Sequence, residues 1–140
     1  MFEVILLAVD DSEHGQHAAV VAGDLARAVN AAEVYVVLAY EPVPGYVKEP
    51  NLSEALATRR AEAQRVLQQA QELLGNIPSK LDPQMIEGSI AEAILDVANL
   101  RKCDVIVMGL QGWGRLEGAL LGSNSQKVAS RAPCPVLLVR

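Results

Sequence analysis

A glycine-rich segment near the carboxyl terminus carries the clearest chemistry of this sequence. Gly109, Gly112 and Gly122 are separated by two and nine residues, and the run Ser123-Asn124-Ser125 follows directly. Glycine lets backbone N–H groups approach an anion closely, and a helix that begins here would offer unpaired N–H groups and a favourable dipole. The segment therefore predicts a cradle for phosphate. The alternative is an ordinary loop, with glycines at its turns and Ser123 capping a helix.

Two adjacent carboxylates, Asp10 and Asp11, follow the first apolar run of the chain. Such a pair resembles the acidic pair of receiver domains, which hold Mg²⁺ for phosphoryl transfer to an aspartate. That chemistry needs an acceptor Asp at the end of a later inner strand, whereas the candidate strand at 104–108 is followed by Gly109. A receiver-like domain is therefore a remote alternative. A simpler interpretation is that Asp11 caps the first helix and Asp10 ends the strand in solvent.

The histidines and cysteines are weak candidates for chemistry. His14 and His17 are three residues apart, which suits a metal on one helix face, but no third ligand follows from the sequence. We expect a solvated pair. Cys103 and Cys134 are distant in sequence and lie beside apolar residues, which predicts buried, reduced thiols. We assign no catalytic residue and no metal ligand.

The chain alternates apolar runs with helical periodicities. Strands are predicted at 4–9, 34–40, 85–87, 104–108 and 135–139, and helices after Ser12, at 51–75, at 89–101 and at 123–132. The stretch 41–50 holds three prolines and a glycine and is predicted to be a loop. This alternation predicts one α/β domain over residues 1–140, with a doubly wound, open parallel sheet of five strands and helices on both faces. The strand order that we expect is 3-2-1-4-5. Ligands of such folds bind beyond the carboxyl ends of the strands, where the strand order reverses.

The spacing Gly109-x2-Gly112-x9-Gly122-Ser123, followed by a helix and a terminal Pro-Val-Leu-Leu-Val strand, resembles the nucleotide-binding signature of the universal stress protein family. The similarity extends over nearly the whole chain. It implies ATP at the switch point, with any Mg²⁺ held through the phosphates, and with Asp10 and the backbone near Ala39 at the adenosine end. The nucleotide-binding residues that the resemblance implies are Asp10, Ala39, Met108, Gly109, Gly112, Gly122, Ser123, Asn124 and Ser125.

Asp11 departs from the family pattern, in which a small residue often follows the first aspartate. An additional carboxylate near the expected phosphates would oppose their binding unless a divalent cation lies between them. Because no general base or metal carboxylate is evident beyond Asp11, the resemblance favours an ATP-binding stress-response module. A slow ATPase or another adenine-nucleotide-using enzyme on the same fold is the alternative.

Composition and charge exclude several partners. Lys and Arg number 12 against 17 Asp and Glu, a net charge of 12 − 17 = −5, and 4% of residues are aromatic. We therefore expect no nucleic-acid partner, and the absence of a long apolar run predicts a cytoplasmic protein without a membrane partner. The apolar terminal strand at 136–139 and the family resemblance predict a homodimer.

Overall fold

The computed structural model describes residues 1–111 and 121–140. Within these ranges strands and helices alternate along the chain, as the periodicities predict. The elements are β1 (Val4–Ala8), α1 (Glu13–Val29), β2 (Glu33–Tyr40), α2 (Asn51–Leu74), β3 (Lys80–Glu87), α3 (Ile90–Leu100), β4 (Val105–Gly109), α4 (Ser123–Arg131) and β5 (Val136–Val139).

The strands form one parallel sheet in the order β3-β2-β1-β4-β5, which confirms the predicted topology. Helices α1 and α2 pack on one face of the sheet, and α3 and α4 pack on the other. The inner strands β1 and β4 are almost entirely buried because helices cover both of their faces. The strand order reverses between β1 and β4, so the carboxyl ends of these two strands define the switch point.

Strand β3 is longer than the sequence pattern predicts. It begins at Lys80 and pairs with β2 over its whole length, whereas only 85–87 was expected. The backbone N–H groups of Lys80 and Gly88 donate to Ala32 and Tyr40 of the β2 side, at 2.9 and 2.8 Å. The backbone N–H groups of the even-numbered residues therefore face β2. The backbone nitrogen of Pro83 faces the open edge of the sheet, where the missing N–H removes no hydrogen bond between strands.

The second half of α2 anchors this helix to α1. Its burial begins at Ala63, so Leu56, which the periodicity places on the buried stripe, is 48% exposed. A Cβ built on Gly23 of α1 would lie 2.3 Å from the carbonyl oxygen of Leu74. Arg27 completes the contact, since its guanidinium donates to the Leu74 carbonyl at 2.8 Å and satisfies part of the α2 carboxyl terminus.

The two cysteines are free thiols, as expected, but only Cys103 is buried, whereas Cys134 is half-buried. Burial raises the pKa of Cys103 to about 11, and burial also raises the pKa of Cys134. Both thiols therefore stay protonated and weakly nucleophilic near neutral pH. Across the described ranges, no helix has the length and apolar character needed to cross a membrane.

Candidate functional site

The junction between β1 and α1 is organised by Asp10. Its Oδ1 accepts hydrogen bonds from the backbone N–H of Ser12, at 3.0 Å, and from the Ser12 hydroxyl. The Ser12 hydroxyl oxygen in turn accepts the N–H of Gly15 at 3.0 Å, so Ser12 is the N-cap of α1. The helix begins directly after Ser12, as predicted, and the alternative in which Asp11 caps the helix is wrong. Asp10 is half-buried and hydrogen-bonded rather than simply solvated, and its Oδ2 makes no hydrogen bond to any described residue.

Asp11 points to α2 rather than standing alone. Its Oδ2 lies 2.8 Å from Nη2 of Arg65, which also contacts Glu62 at 2.5 Å. Hydrogen bonding to Arg65 lowers the pKa of Glu62, and both carboxylates raise the pKa of Arg65. The negative charge that Asp11 adds beside the switch point is therefore partly balanced by Arg65. The two residues are 54 positions apart, so the sequence alone does not pair them.

Gly109 ends β4 directly against the first turn of α1. A Cβ at this position would lie 2.9 Å from the backbone nitrogen of Gly15 and 2.9 Å from the carbonyl carbon of His14. Gly15 is equally constrained, because a Cβ there would lie 2.3 Å from Oδ1 of Asp10. The two glycines let β4, α1 and the Asp10 carboxylate meet at one point. Gly109 is therefore required for the packing of β4 against α1, in addition to any role in ligand binding. Gly15 is a site residue that sequence reasoning missed.

The amino terminus of α4 reaches the same edge of the sheet. Gly122 is the N-cap, with φ −70° and ψ 158°, and among the described residues no side-chain hydrogen bond caps the helix there. Ser123 is the first helical residue, so the alternative in which Ser123 caps this helix is wrong. The Gly122 N–H donates to the Leu110 carbonyl at 3.0 Å, and the helical ladder begins with Gln126 N–H to the Gly122 carbonyl at 3.0 Å. The N–H groups of residues 123–125 therefore have no partner within the helix.

Ser125 ties α4 to the end of β4. It is 3% exposed, and its hydroxyl donates to the Gly109 carbonyl at 2.8 Å. The sequence-based expectation is a hydroxyl donated to the phosphate end, whereas in this structure the hydroxyl proton binds a main-chain carbonyl. Its backbone N–H, in the first turn of α4, remains available to an anion.

The Ser125→Ala variant should separate these two roles. The lost hydroxyl leaves the carbonyl of half-buried Gly109 without this donor, so we expect the free energy of unfolding to fall by about 1 to 2 kcal/mol. Affinity for an anion at α4 should change less than twofold because the backbone N–H remains. Urea denaturation and a binding titration of the same sample measure the two effects, and a large loss of affinity with full stability would contradict this assignment.

Ala39 and Met108 lie near the same edge of the sheet, but their main-chain groups face in different directions. The Val9 N–H donates to the Val37 carbonyl at 3.0 Å, and pairing of β1 with β2 ends at Ala8 opposite Val37. Ala39 has the same strand parity as Val37, so its N–H and C=O point toward the space beyond the end of β1. The Met108 side chain packs into the core on the α3–α4 face. Its main-chain groups face β5, because Ile106 and Leu110, which have the same strand parity, donate their N–H groups to the carbonyls of Pro135 and Val139.

A cavity of about 380 Å³ opens beside Asp10, between α2 and the carboxyl ends of β1 and β2. This volume lies within the range of small-molecule sites. Its lining consists of Asp10, Asp11, Leu38, Tyr40, Thr58, Arg59, Glu62, Ala63 and Val66. Sequence reasoning missed the α2 residues of this wall, because no local pattern in α2 marks a ligand.

The structure therefore brings most predicted site residues to one edge. Asp10, Gly109 and the start of α4 meet at the switch point, and Ala39 lies on the next strand. Gly112 lies outside the described residues. In the described part of the chain, no cluster of three or more His, Cys, Asp or Glu side chains could hold a metal.

The two histidines do not form the solvated pair that we expected. His14 is half-buried, and its Nδ1 lies 3.2 Å from the Gln111 backbone nitrogen. His17 is exposed, and its Nδ1 lies 2.7 Å from the Arg140 carbonyl oxygen. These contacts join α1 to the ends of β4 and β5, which sequence spacing alone does not reveal.

Comparison with known proteins identifies this architecture. The model of the universal stress protein family matches residues 1–140. The chain belongs to the universal stress protein family. This result confirms the resemblance read from the glycine spacing and excludes the receiver-like alternative.

Relatives of the family share both sequence and fold with this chain. A universal stress protein of Thermus aquaticus is 49% identical over 140 residues, which cover 100% of both chains. Universal stress protein UspA of Lactobacillus plantarum has a TM-score of 0.87 at 26% identity, with 99% of this chain and 98% of that chain covered.

Two further universal stress proteins of this fold were solved with adenine nucleotides. The Archaeoglobus fulgidus protein in complex with dAMP has a TM-score of 0.73 at 21% identity, covering 100% of this chain and 98% of that chain. A universal stress protein in complex with cAMP has a TM-score of 0.75 at 24% identity, with 99% of this chain and 97% of that chain covered.

Proposed function

We propose that residues 1–140 act as one nucleotide-binding domain that holds ATP at the carboxyl edge of the sheet. The observation that carries this proposal is the amino terminus of α4, which no described side chain caps and which lies beside the ends of β1 and β4 at the switch point. Family members solved with cAMP and with dAMP support an adenine nucleotide as the ligand class.

The start of α4 would receive the phosphates. The N–H groups of Ser123, Asn124 and Ser125 and the helix dipole favour a negative group at this position. Gly122 adds no side chain that would compete with the ligand, and Gly109 and Gly112 complete the proposed cradle. Any Mg²⁺ would be held through the phosphates rather than by a protein cluster.

The adenosine would lie toward β2. The N–H and C=O of Ala39 form a neighbouring donor and acceptor, which matches the N1 acceptor and the amino donor of adenine. Guanine presents the opposite pattern at this edge, with an N1 donor and an O6 acceptor. Asp10 would complete the proposed contacts through its Oδ2, which makes no hydrogen bond to a described residue. The arrangement therefore favours ATP over GTP.

Binding rather than turnover is the proposed activity. Asp11 is the carboxylate that sequence reasoning places nearest to the phosphates, and its ion pair with Arg65 makes it a poor general base. The rate of phosphate release should therefore lie far below the roughly 1 to 100 per second of kinases. A robust, Mg²⁺-dependent release that Asp11→Asn abolishes without loss of ATP binding would favour the enzyme alternative.

We also propose a homodimer through the open edge of β5. This strand pairs with β4 on one side, and Leu137 is 40% exposed, whereas Leu138 packs against the core on the α3–α4 face. An apolar edge of this kind favours pairing with a second copy across a two-fold axis.

Leu137→Lys should therefore yield a monomer with little loss of folding. A charge on an open strand edge opposes edge-to-edge pairing, and the exposed position tolerates it. The molar mass measured by light scattering should fall from about twice the 15.0 kDa chain mass in wild type to the mass of one chain in the variant. A wild-type protein that is monomeric at micromolar concentration would contradict the proposal, as would an unchanged dimer in the variant.

Mass spectrometry of an acid extract of the purified protein tests the identity of the ligand. We expect adenine nucleotides in the extract of the wild-type protein and about tenfold less in that of a variant with a charged α4 N-cap, Gly122→Asp. Extraction of guanine nucleotides at equal yield would contradict the proposed selectivity.

A further inference from the structure

His14 joins the first turn of α1 to the backbone that follows β4. Its Nδ1 lies 3.2 Å from the Gln111 nitrogen, across 97 positions of sequence. A backbone N–H can only donate, so Nδ1 must be the unprotonated nitrogen of a neutral imidazole. A protonated ring would carry an N–H at this atom and would face another N–H.

Close packing and hydrogen bonds surround this contact. Gly109 lies directly against the first turn of α1, where a Cβ would come within 2.9 Å of the carbonyl carbon of His14. On the other side, the Leu110 N–H donates to the Val139 carbonyl at 2.7 Å, and the Leu110 carbonyl accepts the Gly122 N–H at 3.0 Å. Gln111 thus follows directly after the residue that connects β4 to the start of α4.

We propose that His14 is a positioning residue for the nucleotide site and makes nucleotide affinity depend on pH. The neutral ring holds the Gln111 backbone and, through it, the spacing between the end of β4 and the amino terminus of α4. Protonation removes the acceptor and loosens that spacing. The inference rests on the proposed nucleotide site, since the affinity that it predicts is for that ligand.

The charges around His14 do not duplicate this effect. Asp10 lies in the β1–α1 junction, Glu13 and His17 lie on α1, and Arg140 follows β5. The described residues after β4, Leu110 and Gln111, carry no charge. His17 has the opposite arrangement, because its Nδ1 donates to the Arg140 carbonyl at 2.7 Å, a bond that survives protonation. His17 is therefore a matched control.

The test compares ATP affinity at about pH 8 and about pH 5.5 for four proteins. His14→Asn keeps an acceptor oxygen near the position of Nδ1 but does not titrate, whereas His14→Leu removes the acceptor. At the higher pH we expect His14→Asn to bind like wild type and His14→Leu to bind about fivefold more weakly. At the lower pH, the ATP affinity of wild type and of His17→Asn should fall by about fivefold relative to that of His14→Asn. Titration of the terminal phosphate of ATP affects all of these proteins equally, so it cancels in the ratio of their affinities.

A nucleotide-free measurement distinguishes failure of this inference from failure of the proposed function. In NMR spectra, the Gln111 amide resonance should move with pH in step with the His14 ring, and His14→Asn should abolish that movement. A Gln111 amide resonance that changes neither with pH nor in His14→Leu would overturn the inference, whether or not nucleotide binds. A coupled titration in a protein without affinity for adenine nucleotides would overturn the proposed function and support the contact. Equal pH dependence of ATP affinity in wild type and His14→Asn would overturn the inference alone.

Discussion

Gly122→Asp should abolish nucleotide binding while the protein stays fully folded. The φ and ψ angles of Gly122, −70° and 158°, are those of an N-cap, and aspartate is among the best N-cap residues. Its carboxylate would accept the free N–H groups of the first α4 turn and would place a negative charge where the phosphates are proposed to lie. Two lost charge-assisted hydrogen bonds, together with charge repulsion, predict affinity at least about 100-fold weaker.

The uncharged variant Gly122→Asn separates the effect of the negative charge from the effect of a side chain that occupies the N–H groups of α4. Asparagine also caps helices, so both variants should retain or slightly raise the free energy of unfolding, by a few tenths of a kcal/mol. The affinity of Gly122→Asn should fall by only about tenfold. Calorimetric titration and thermal denaturation of both variants provide the measurements. ATP binding of wild-type strength in Gly122→Asp would refute the proposed phosphate position.

Gly23→Val should produce the largest loss of stability of any variant considered. The added Cβ would meet the Leu74 carbonyl oxygen at 2.3 Å and its Cα at 3.1 Å, and these are backbone atoms that no rotamer change can move. Helix α2 must then shift away from α1, which also weakens the bond from Arg27 to the same carbonyl. Overpacking of this kind costs about 3 kcal/mol, although replacing a helical glycine alone is favourable.

The control for this prediction is Gly45→Val. Nothing lies within 4 Å of a Cβ at Gly45, so its replacement should change the free energy of unfolding by less than about 0.5 kcal/mol. Urea denaturation of both variants measures the difference. Equal stability of the two proteins would show that α1 and α2 do not approach as closely as the structure describes.

Much of the fold follows from local pattern. The apolar runs that became β1, β2 and β4 are buried on both faces, so their composition alone marks them as inner parallel strands. The glycine spacing placed Gly109 and Gly122 at the switch point. Strand β3 was underestimated because it lies at the sheet edge, where Pro83 and alternating polar residues are tolerated.

The remaining features of the site depend on contacts between distant parts of the chain. Arg65 balances Asp11 across 54 positions, and His14 reaches Gln111 across 97. Gly23 is one of several small residues in α1, and nothing in its neighbourhood in sequence shows that a helix end approaches it. Such pairings require the three-dimensional structure because side-chain periodicity reports burial but not the identity of the partner.

Direct titration of nucleotide-free protein with ATP and with GTP, both with Mg²⁺, tests whether this protein holds ATP. We expect saturable binding of one ATP per chain, with affinity at least about tenfold higher than for GTP and an accompanying rise in melting temperature. The absence of both binding heat and thermal stabilisation at about 5 mM ATP, in a protein that unfolds cooperatively, would contradict it.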